Sequence, residues 1–296
     1  MQCNGTTRAG QRCQLTSTSA MVDSAGRPVA GPLRKGCPYC LFHVRPFSTK
    51  PTCISRPVVT LYMDLETTGV DVTRARIVEI AATTGHKHAH VPGESYAEIV
   101  FVSEEIRSAP EAQAAARVHG ISDEDIARGT PFPEAWARFI SFTESILNTV
   151  LHENSSDTDD DPQAPPRPPQ EEPVMLVCAH NGFRFDFAIL LFECERYKLP
   201  MTPFRRWFFL DTLHVVDSAK AELGTGCSKL QCLLSRLSDM QDLRAHRALD
   251  DTVALRNVMH SVAYRLGCSV TDMLLLHAVA WDEQASVAQV AALLEE

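Results

Sequence analysis

Two carboxylates, Asp64 and Glu66, stand two residues apart at the end of an apolar run that holds Val58, Val59, Leu61, Met63 and Leu65. In a strand, residues i and i+2 point to the same face. The pair therefore projects side by side from the end of a buried strand, just before the turn residues Thr67, Thr68 and Gly69. Like charges this close repel unless a cation lies between them. Hard divalent cations such as Mg²⁺ favour such oxygen ligands. A lone D-x-E is usually only a solvated strand end, but matching acids follow further along. Asp186 falls where a strand gives way to a helix, and Asp251 lies five residues after His246 near the start of a long helix. Four carboxylates and one imidazole suit a pair of Mg²⁺ or Mn²⁺ ions. Two ions about 3.5–4 Å apart clamp the attacking and leaving oxygens of a phosphodiester. One lowers the pKa of a bound water and the other neutralises the departing oxyanion. A histidine beside them can take the proton from the nucleophilic water.

Those residues need elements to hold them. The patterning predicts strands at 58–66, 75–84 and 95–102, joined by short turns as an antiparallel meander. Helices are expected at 110–118, from Ser122, and over 133–151, where apolar residues recur at helical spacing. Residues 153–173 carry seven acids, one Arg and many Pro, without a large apolar side chain. That composition predicts a disordered acidic, proline-rich insertion, and its P-P-R-P-P run offers a protein partner a docking segment. Residues 174–179 read as a buried parallel strand, followed by the turn His180-Asn181-Gly182 and a helix over 185–197. A strand at 207–210 and helices at 212–222, 228–236, 247–266, 270–281 and 284–294 complete the reading. The order predicts an α/β fold with a mixed sheet flanked by helices.

Charge is unevenly spread. Residues 1–56 carry eight Lys/Arg against Asp23 alone, giving +7, and the rest carry 20 Lys/Arg against 36 acids, giving −16. A basic head on an acidic body suggests that the head meets an acidic partner. No apolar run approaches the ~20 residues that span a bilayer, so no membrane role is expected. The first twenty residues lack an apolar signal core, which points to an intracellular protein, cytoplasmic or nuclear. Their Arg, Ser and Thr content keeps a mitochondrial location open. Five of the ten cysteines fall in the first 53 residues. Without a secretory signal, metal binding is favoured there over a disulfide framework. Cys178, Cys194, Cys227, Cys232 and Cys268 read as buried thiols acting as small hydrophobes.

The pattern C-x₉-C from Cys3 to Cys13, with Cys40-Leu-Phe-His43 later, resembles a small zinc-binding module. The resemblance implies Zn²⁺ held by Cys3, Cys13, Cys40 and His43, with Cys37 as an alternative to Cys40. The stretch Gln14–Gly36 is longer than such a module usually carries. The domains expected are a zinc-binding module over 1–45, a proline-bearing linker over 46–57, a main domain over 58–267 and C-terminal helices over 268–296.

The segments MDLETTG, AHNGFRFD and HRALDD together resemble the three motifs of the DEDDh 3′–5′ exonucleases, over roughly residues 58–260. Val118-His119-Gly120-Ile121-Ser122 and Asp211-Thr212-Leu213 fall at matching intervals. The resemblance implies an RNase H-like fold with a five-stranded mixed sheet. It makes Asp64, Glu66, Asp186 and Asp251 the metal ligands, two Mg²⁺ or Mn²⁺ the cofactors and His246 the general base. The activity implied is stepwise hydrolysis of DNA or RNA from a free 3′ end, single-stranded or frayed, to nucleoside 5′-monophosphates. Leu65, Thr67 and Asn181 are candidates to touch the terminal nucleotide, although a turn Asn is also often purely conformational. His119 and His180 are expected to be structural. The competing reading is a zinc-containing adaptor that grips nucleic-acid ends with little or no nuclease activity. Removing residues 1–56 is expected to weaken binding of a single-stranded oligonucleotide and to flatten its salt dependence. Fluorescence anisotropy at several salt concentrations reads both, and unchanged affinity and slope would retire the basic head as a nucleic-acid contact.

Overall fold

A computed structural model describes residues 56–85, 94–156, 172–237 and 247–280, together with two short strands near the N-terminus. The chain divides into two units, Met1–Ile54 and Ser55–Glu296. In the first, β1 (Met21–Val22) pairs antiparallel with β2 (Pro28–Ala30). The candidate zinc ligands Cys3, Cys13, Cys37, Cys40 and His43 lie outside the described residues, as do His246 and the helix expected at 284–294.

The second unit opens with the meander β3 (Val58–Thr67), β4 (Ile77–Thr84) and β5 (Ser95–Ile99), antiparallel throughout. Four helices follow: α1 (Glu104–Arg107), α2 (Pro110–His119), α3 (Asp123–Ala127) and α4 (Phe132–Ser156). Pro110 opens α2, where a missing N–H costs nothing. The Ser122 hydroxyl caps α3 by accepting the Asp125 N–H. The chain then returns through β6 (Val174–Ala179), parallel to β3 and buried at every residue. A strand covered on both faces has no polar side, which is why V-M-L-V-C-A does not alternate. Next come α5 (Asp186–Arg196), β7 (Trp207–Asp211), α6 (Thr212–Ser218), α7 (Lys220–Leu223), α8 (Leu230–Leu237), α9 (Ala248–Leu266), α10 (Val270–Leu275) and β8 (Val279–Ala280). The sheet order is β5-β4-β3-β6-β7-β8. This is the mixed five-stranded sheet flanked by helices, with a two-residue strand added at the β7 edge.

Several boundaries differ from the sequence reading. The helix expected over 270–281 stops at Leu275, because Val279 and Ala280 pair with Phe209 and Phe208 instead. The helix expected over 212–222 breaks at Ala219 into α6 and α7. The third strand ends at Ile99; Val100 still donates its N–H to the Val78 carbonyl but also bridges to Thr130, and the chain then turns into α1. Helix α4 extends to Ser156, into the start of the acidic insertion, while residues 157–171 lie outside the described residues. Cys227 and Cys232, expected as isolated buried thiols, form a disulfide with Cα atoms 6.1 Å apart. The turn before α8 brings the first back onto the helix's opening turn. Cys268 is exposed, so the buried-thiol expectation fits Cys178 and Cys194 alone. Among the described residues, no helix is long and apolar enough to cross a membrane.

The sheet separates two apolar layers. Leu61, Met63 and Leu65 of β3 face one layer with Trp136, Phe139, Ile189, Leu190 and Trp207. Tyr62 faces the other, with Val215, Leu233, Leu255, Val258 and Met259. The period of two along β3 thus assigns odd residues to the α4/α5 layer and even residues to the α8/α9 layer. Phe139 is fully buried and its ring lies edge-on to Trp207 at 6.1 Å and to Tyr96 at 5.4 Å. Phe139→Ala is expected to cost about 3–5 kcal/mol of stability, read from the midpoint of urea unfolding.

Candidate metal centre

Strand β3 carries Asp64 and Glu66 out on the even-numbered face, at its carboxyl end. The ladder to β4 shifts register between Glu66 and Thr67. A bulge of this kind bends the strand and re-aims side chains at its end. The turn beyond is tied back: Thr67 Oγ1 donates to the Gly69 carbonyl at 2.7 Å, and the Arg76 N–H donates to Thr68 Oγ1 at 2.9 Å. Helix α9 crosses the even face, and Asp251 sits one turn into it, its N–H donating to the Arg247 carbonyl at 3.0 Å. Asp64, Glu66 and Asp251, each half-buried, present carboxylate oxygens that all lie within 4.8 Å of one another. Gln231 Nε2 of α8 donates to Asp251 Oδ1 at 3.2 Å.

Asp186 arrives from the opposite layer. It opens α5, is 3% exposed, and its Oδ1 accepts the Leu65 N–H at 3.2 Å. The backbone amide between Asp64 and Glu66 therefore anchors the fourth carboxylate. The turn before α5 is fixed by Asp211, the last residue of β7. Its carboxylate accepts the N–H groups of Asn181 at 2.8 Å, Phe183 at 3.3 Å and Leu213 at 2.9 Å. Asn181 holds φ 64°, a left-handed conformation that Asn tolerates better than most residues. Gly182 has no room for a Cβ, which would lie 2.7 Å from that of Ala179 and 2.8 Å from the Phe187 ring.

The electrostatics follow from crowding. Burial, then Asp186, Glu66 and Asp251, push the Asp64 carboxyl well above its ordinary value. Burial, then Asp251 and Glu79, push Glu66 up to about 8. Burial holds Asp186 at about 7 despite the hydrogen bonds that favour its charged form. Carboxylates forced to hold protons near neutrality are short of positive charge, and the donors offered are all oxygen. That set fits a hard divalent cation.

The remaining sequence-nominated residues fall as follows. Leu65 is 3% exposed and packs in the α4/α5 layer. Thr67 is buried at the end of β3. His180 uses both ring nitrogens, towards Thr212 Oγ1 at 2.9 Å and the Ser228 carbonyl at 2.7 Å. His119 is buried, and its Nδ1 accepts the Ile121 N–H at 3.0 Å. Sequence reasoning passed over Glu79, 2% exposed on β4 and directly opposite Glu66. A single acid inside I-V-E-I-A-A was the signal for it. It also gave no role to Asp211 or Gln231.

The raised acids set a pH dependence. Glu66 binds its proton with a pKa near 8 in the folded chain against an ordinary 4.5, and Asp186 near 7 against 3.8. Between those limits the folded state holds more protons than the unfolded one, so stability falls as pH rises. The metal-free protein is expected to melt at a lower temperature at pH 8 than at pH 5. Mg²⁺ or Mn²⁺ should raise the melting temperature more at pH 8, which differential scanning calorimetry with and without chelator reads directly.

Residues 61–159, which include Asp64 and Glu66, match the family model described as RNase_T, Exonuclease. The exonuclease DPD1, chloroplastic/mitochondrial, of Arabidopsis thaliana is 29% identical over 246 residues, which cover 80% of this chain and 66% of that protein. E. coli exonuclease I, solved in complex with a dA16 oligonucleotide, superposes with a TM-score of 0.50 at 17% identity, over 71% of this chain and 41% of that one. The nuclease domain of 3′hExo, a DEDDh family member bound to rAMP, does so with a TM-score of 0.50 at 15% identity, over 71% of this chain and 93% of that one. The chain thus spans just under two thirds of its plant relative and about two fifths of the bacterial enzyme. Residues 61–159, running through the acidic end of β3, thus resemble an exonuclease family, and the chain shares its fold with solved 3′-exonucleases.

Proposed function

We propose that this protein is a metal-dependent 3′–5′ exonuclease that releases nucleoside 5′-monophosphates from a free 3′ end. The observation that carries the reading is the meeting of Asp64, Glu66 and Asp251 oxygens within 4.8 Å, from a strand and a helix almost two hundred residues apart. Asp64, Glu66, Asp186 and Asp251 would hold two Mg²⁺ or Mn²⁺ ions. When bound, such ions supply Lewis acidity at the phosphodiester and a water of lowered pKa. The chain's own part is positional. The bulged end of β3 fixes two carboxylates, the Leu65 N–H orients Asp186, and the first turn of α9 delivers Asp251. His246, covalently next to the start of α9, is the general base in this reading.

The relatives support a nucleic-acid end as substrate, since two structural neighbours were solved with a dA16 oligonucleotide and with rAMP bound. Between them they cover both sugars, so DNA and RNA are tested together. An intracellular location accords with the reading. The plant relative's designation as chloroplastic/mitochondrial is compatible with an organellar one. A structural Zn²⁺ on Cys3, Cys13, Cys40 and His43, and a protein partner at the proline-rich insertion, belong to the same proposal.

The deciding measurement is a time course on 3′-labelled and 5′-labelled DNA and RNA oligonucleotides, with and without Mg²⁺ or Mn²⁺. The expected result is immediate release of 3′ label as a mononucleotide and a stepwise ladder from 5′-labelled strands. Asp64→Ala is expected to cut the rate by at least about a hundredfold, the upper end of what partners outside the ligand set cost. Inactivity of the unmutated protein on every substrate with either metal would give way to the adaptor reading.

A further inference from the structure

We propose that Glu79 is a positioning residue of this metal centre, holding the start of α9 so that Asp251 meets Asp64 and Glu66. The inference rests on those carboxylates forming a divalent-cation site. Glu79 is the third residue of β4, 2% exposed, directly opposite Glu66 in the antiparallel ladder. Like charges in that relation destabilise a sheet, and burial adds to the cost. The neighbouring positions of the strand are Val, Ile and Ala, which pack without such a penalty. A carboxylate here needs compensation, and both of its oxygens receive it from one place. Oε1 accepts Arg247 Nη2 at 2.7 Å. Oε2 accepts Arg247 Nε at 3.3 Å and the Ala248 backbone N–H at 3.1 Å.

The Ala248 bond does the work that a capping side chain usually does, and the two Arg247 bonds hold the acceptor in place. Arg247 is the N-cap of α9 and makes no side-chain cap bond of its own. The first N–H groups of a helix have no partner within it. Glu79 supplies an acceptor for one of them from across the sheet, and its charge complements the helix N-terminus. The paired, two-point contact with Arg247 fixes direction as well as distance. Asp251 follows one turn later, its N–H on the Arg247 carbonyl, so the ligand stands four positions beyond the clamp. Asp64 and Glu66 are fixed by β3 and Asp186 by the Leu65 amide, whereas Asp251 depends on where α9 begins. Helix ends fray, and an uncapped first turn would spread the Asp251 carboxylate over several positions. The clamp also lies one peptide bond from His246.

The test measures Mn²⁺ binding by isothermal titration calorimetry on the full chain without nucleic acid. Glu79→Gln, Glu79→Asp and Arg247→Lys are compared with the unmutated protein, and Phe139→Ala serves as a control destabilised far from the site. Glu79→Gln is expected to weaken Mn²⁺ binding by about 10–100-fold, the range found when a partner that orients a metal ligand is lost. Glu79→Asp keeps the charge and should recover part of the loss. Arg247→Lys keeps the charge but not the fork, and should weaken binding as well. Phe139→Ala should bind Mn²⁺ as the unmutated protein does, despite its lower melting temperature. If Glu79→Gln fails to fold, Arg247→Lys and Glu79→Asp decide by the same comparison. Unchanged Mn²⁺ affinity in the Glu79 and Arg247 variants would overturn the proposal. So would a loss that Phe139→Ala reproduces, or an unmutated protein that binds no Mn²⁺. Digestion assays run beside the titrations separate the two readings. An unmutated protein that binds Mn²⁺ but digests nothing sinks the exonuclease proposal, while the affinity series still decides the role of Glu79.

Discussion

Repulsion among carboxylates at the end of β3 is the constraint that shapes everything around it. Asp64, Glu66 and Asp251 crowd within 4.8 Å, with Asp186 pinned beside them, in a place that water only half reaches. Such an arrangement raises the proton affinity of its members, as at Glu66 and Asp186. It persists in a folded chain because the surrounding structure is strong enough to hold it. The two apolar layers supply that strength, and each delivers one acid to the strand end. The α4/α5 layer brings Asp186 on a helix whose buried face includes Ile189 and Leu190. The α8/α9 layer brings Asp251 on a helix anchored by Leu255, Val258 and Met259.

The polar framework has the same logic. Several acids of this domain are structural, and each is saturated by donors. Asp211 accepts three backbone amides and so fixes the turn that launches α5. Glu193, buried on α5, accepts Arg76 Nε at 2.5 Å and Arg196 Nη1 at 2.6 Å. That contact ties α5 to the end of the turn that leaves β3. Glu79 is saturated by Arg247 and Ala248. The acids of the cluster differ in kind. Among the contacts described for Asp64 and Glu66, neighbouring carboxylates outnumber donors, a charge balance that a cation would relieve.

Much of this was legible in the chain because the governing signals are local. The alternation across Leu61, Met63 and Leu65 placed Asp64 and Glu66 on one face, and the unbroken apolar run at 174–179 announced a strand covered on both sides. Asp186 and Asp251 stood out at the starts of helices. What escaped depends on contacts that no local window contains. The lone Glu79 looks like a misplaced charge until Arg247, 168 residues away, is seen to meet it. Val279 and Ala280 continue a helical pattern in sequence, yet the open edge of β7 competes for their backbone and wins. Cys227 and Cys232 carry no pairing information in their spacing; only the turn between α7 and α8 brings them together.

The acidity of the site bears on how a substrate would be held. Residues 57–296 carry a net charge of −16, and a nucleic acid brings one negative charge per phosphate. Without cations, the centre repels the very group on which the proposed chemistry acts. Cation binding and substrate binding must then favour each other, since each relieves a repulsion that the other would otherwise meet. This coupling concentrates attraction where the carboxylates converge and leaves the rest of an acidic surface unattractive to internal stretches of a strand. A centre of that kind would select by the geometry at one point rather than by broad electrostatic grip, as the proposed exonuclease reading requires. The same reasoning explains why the anchoring of α9 matters. If attraction depends on cations placed among four carboxylates, then the position of the one carboxylate borne by α9 governs metal and substrate together.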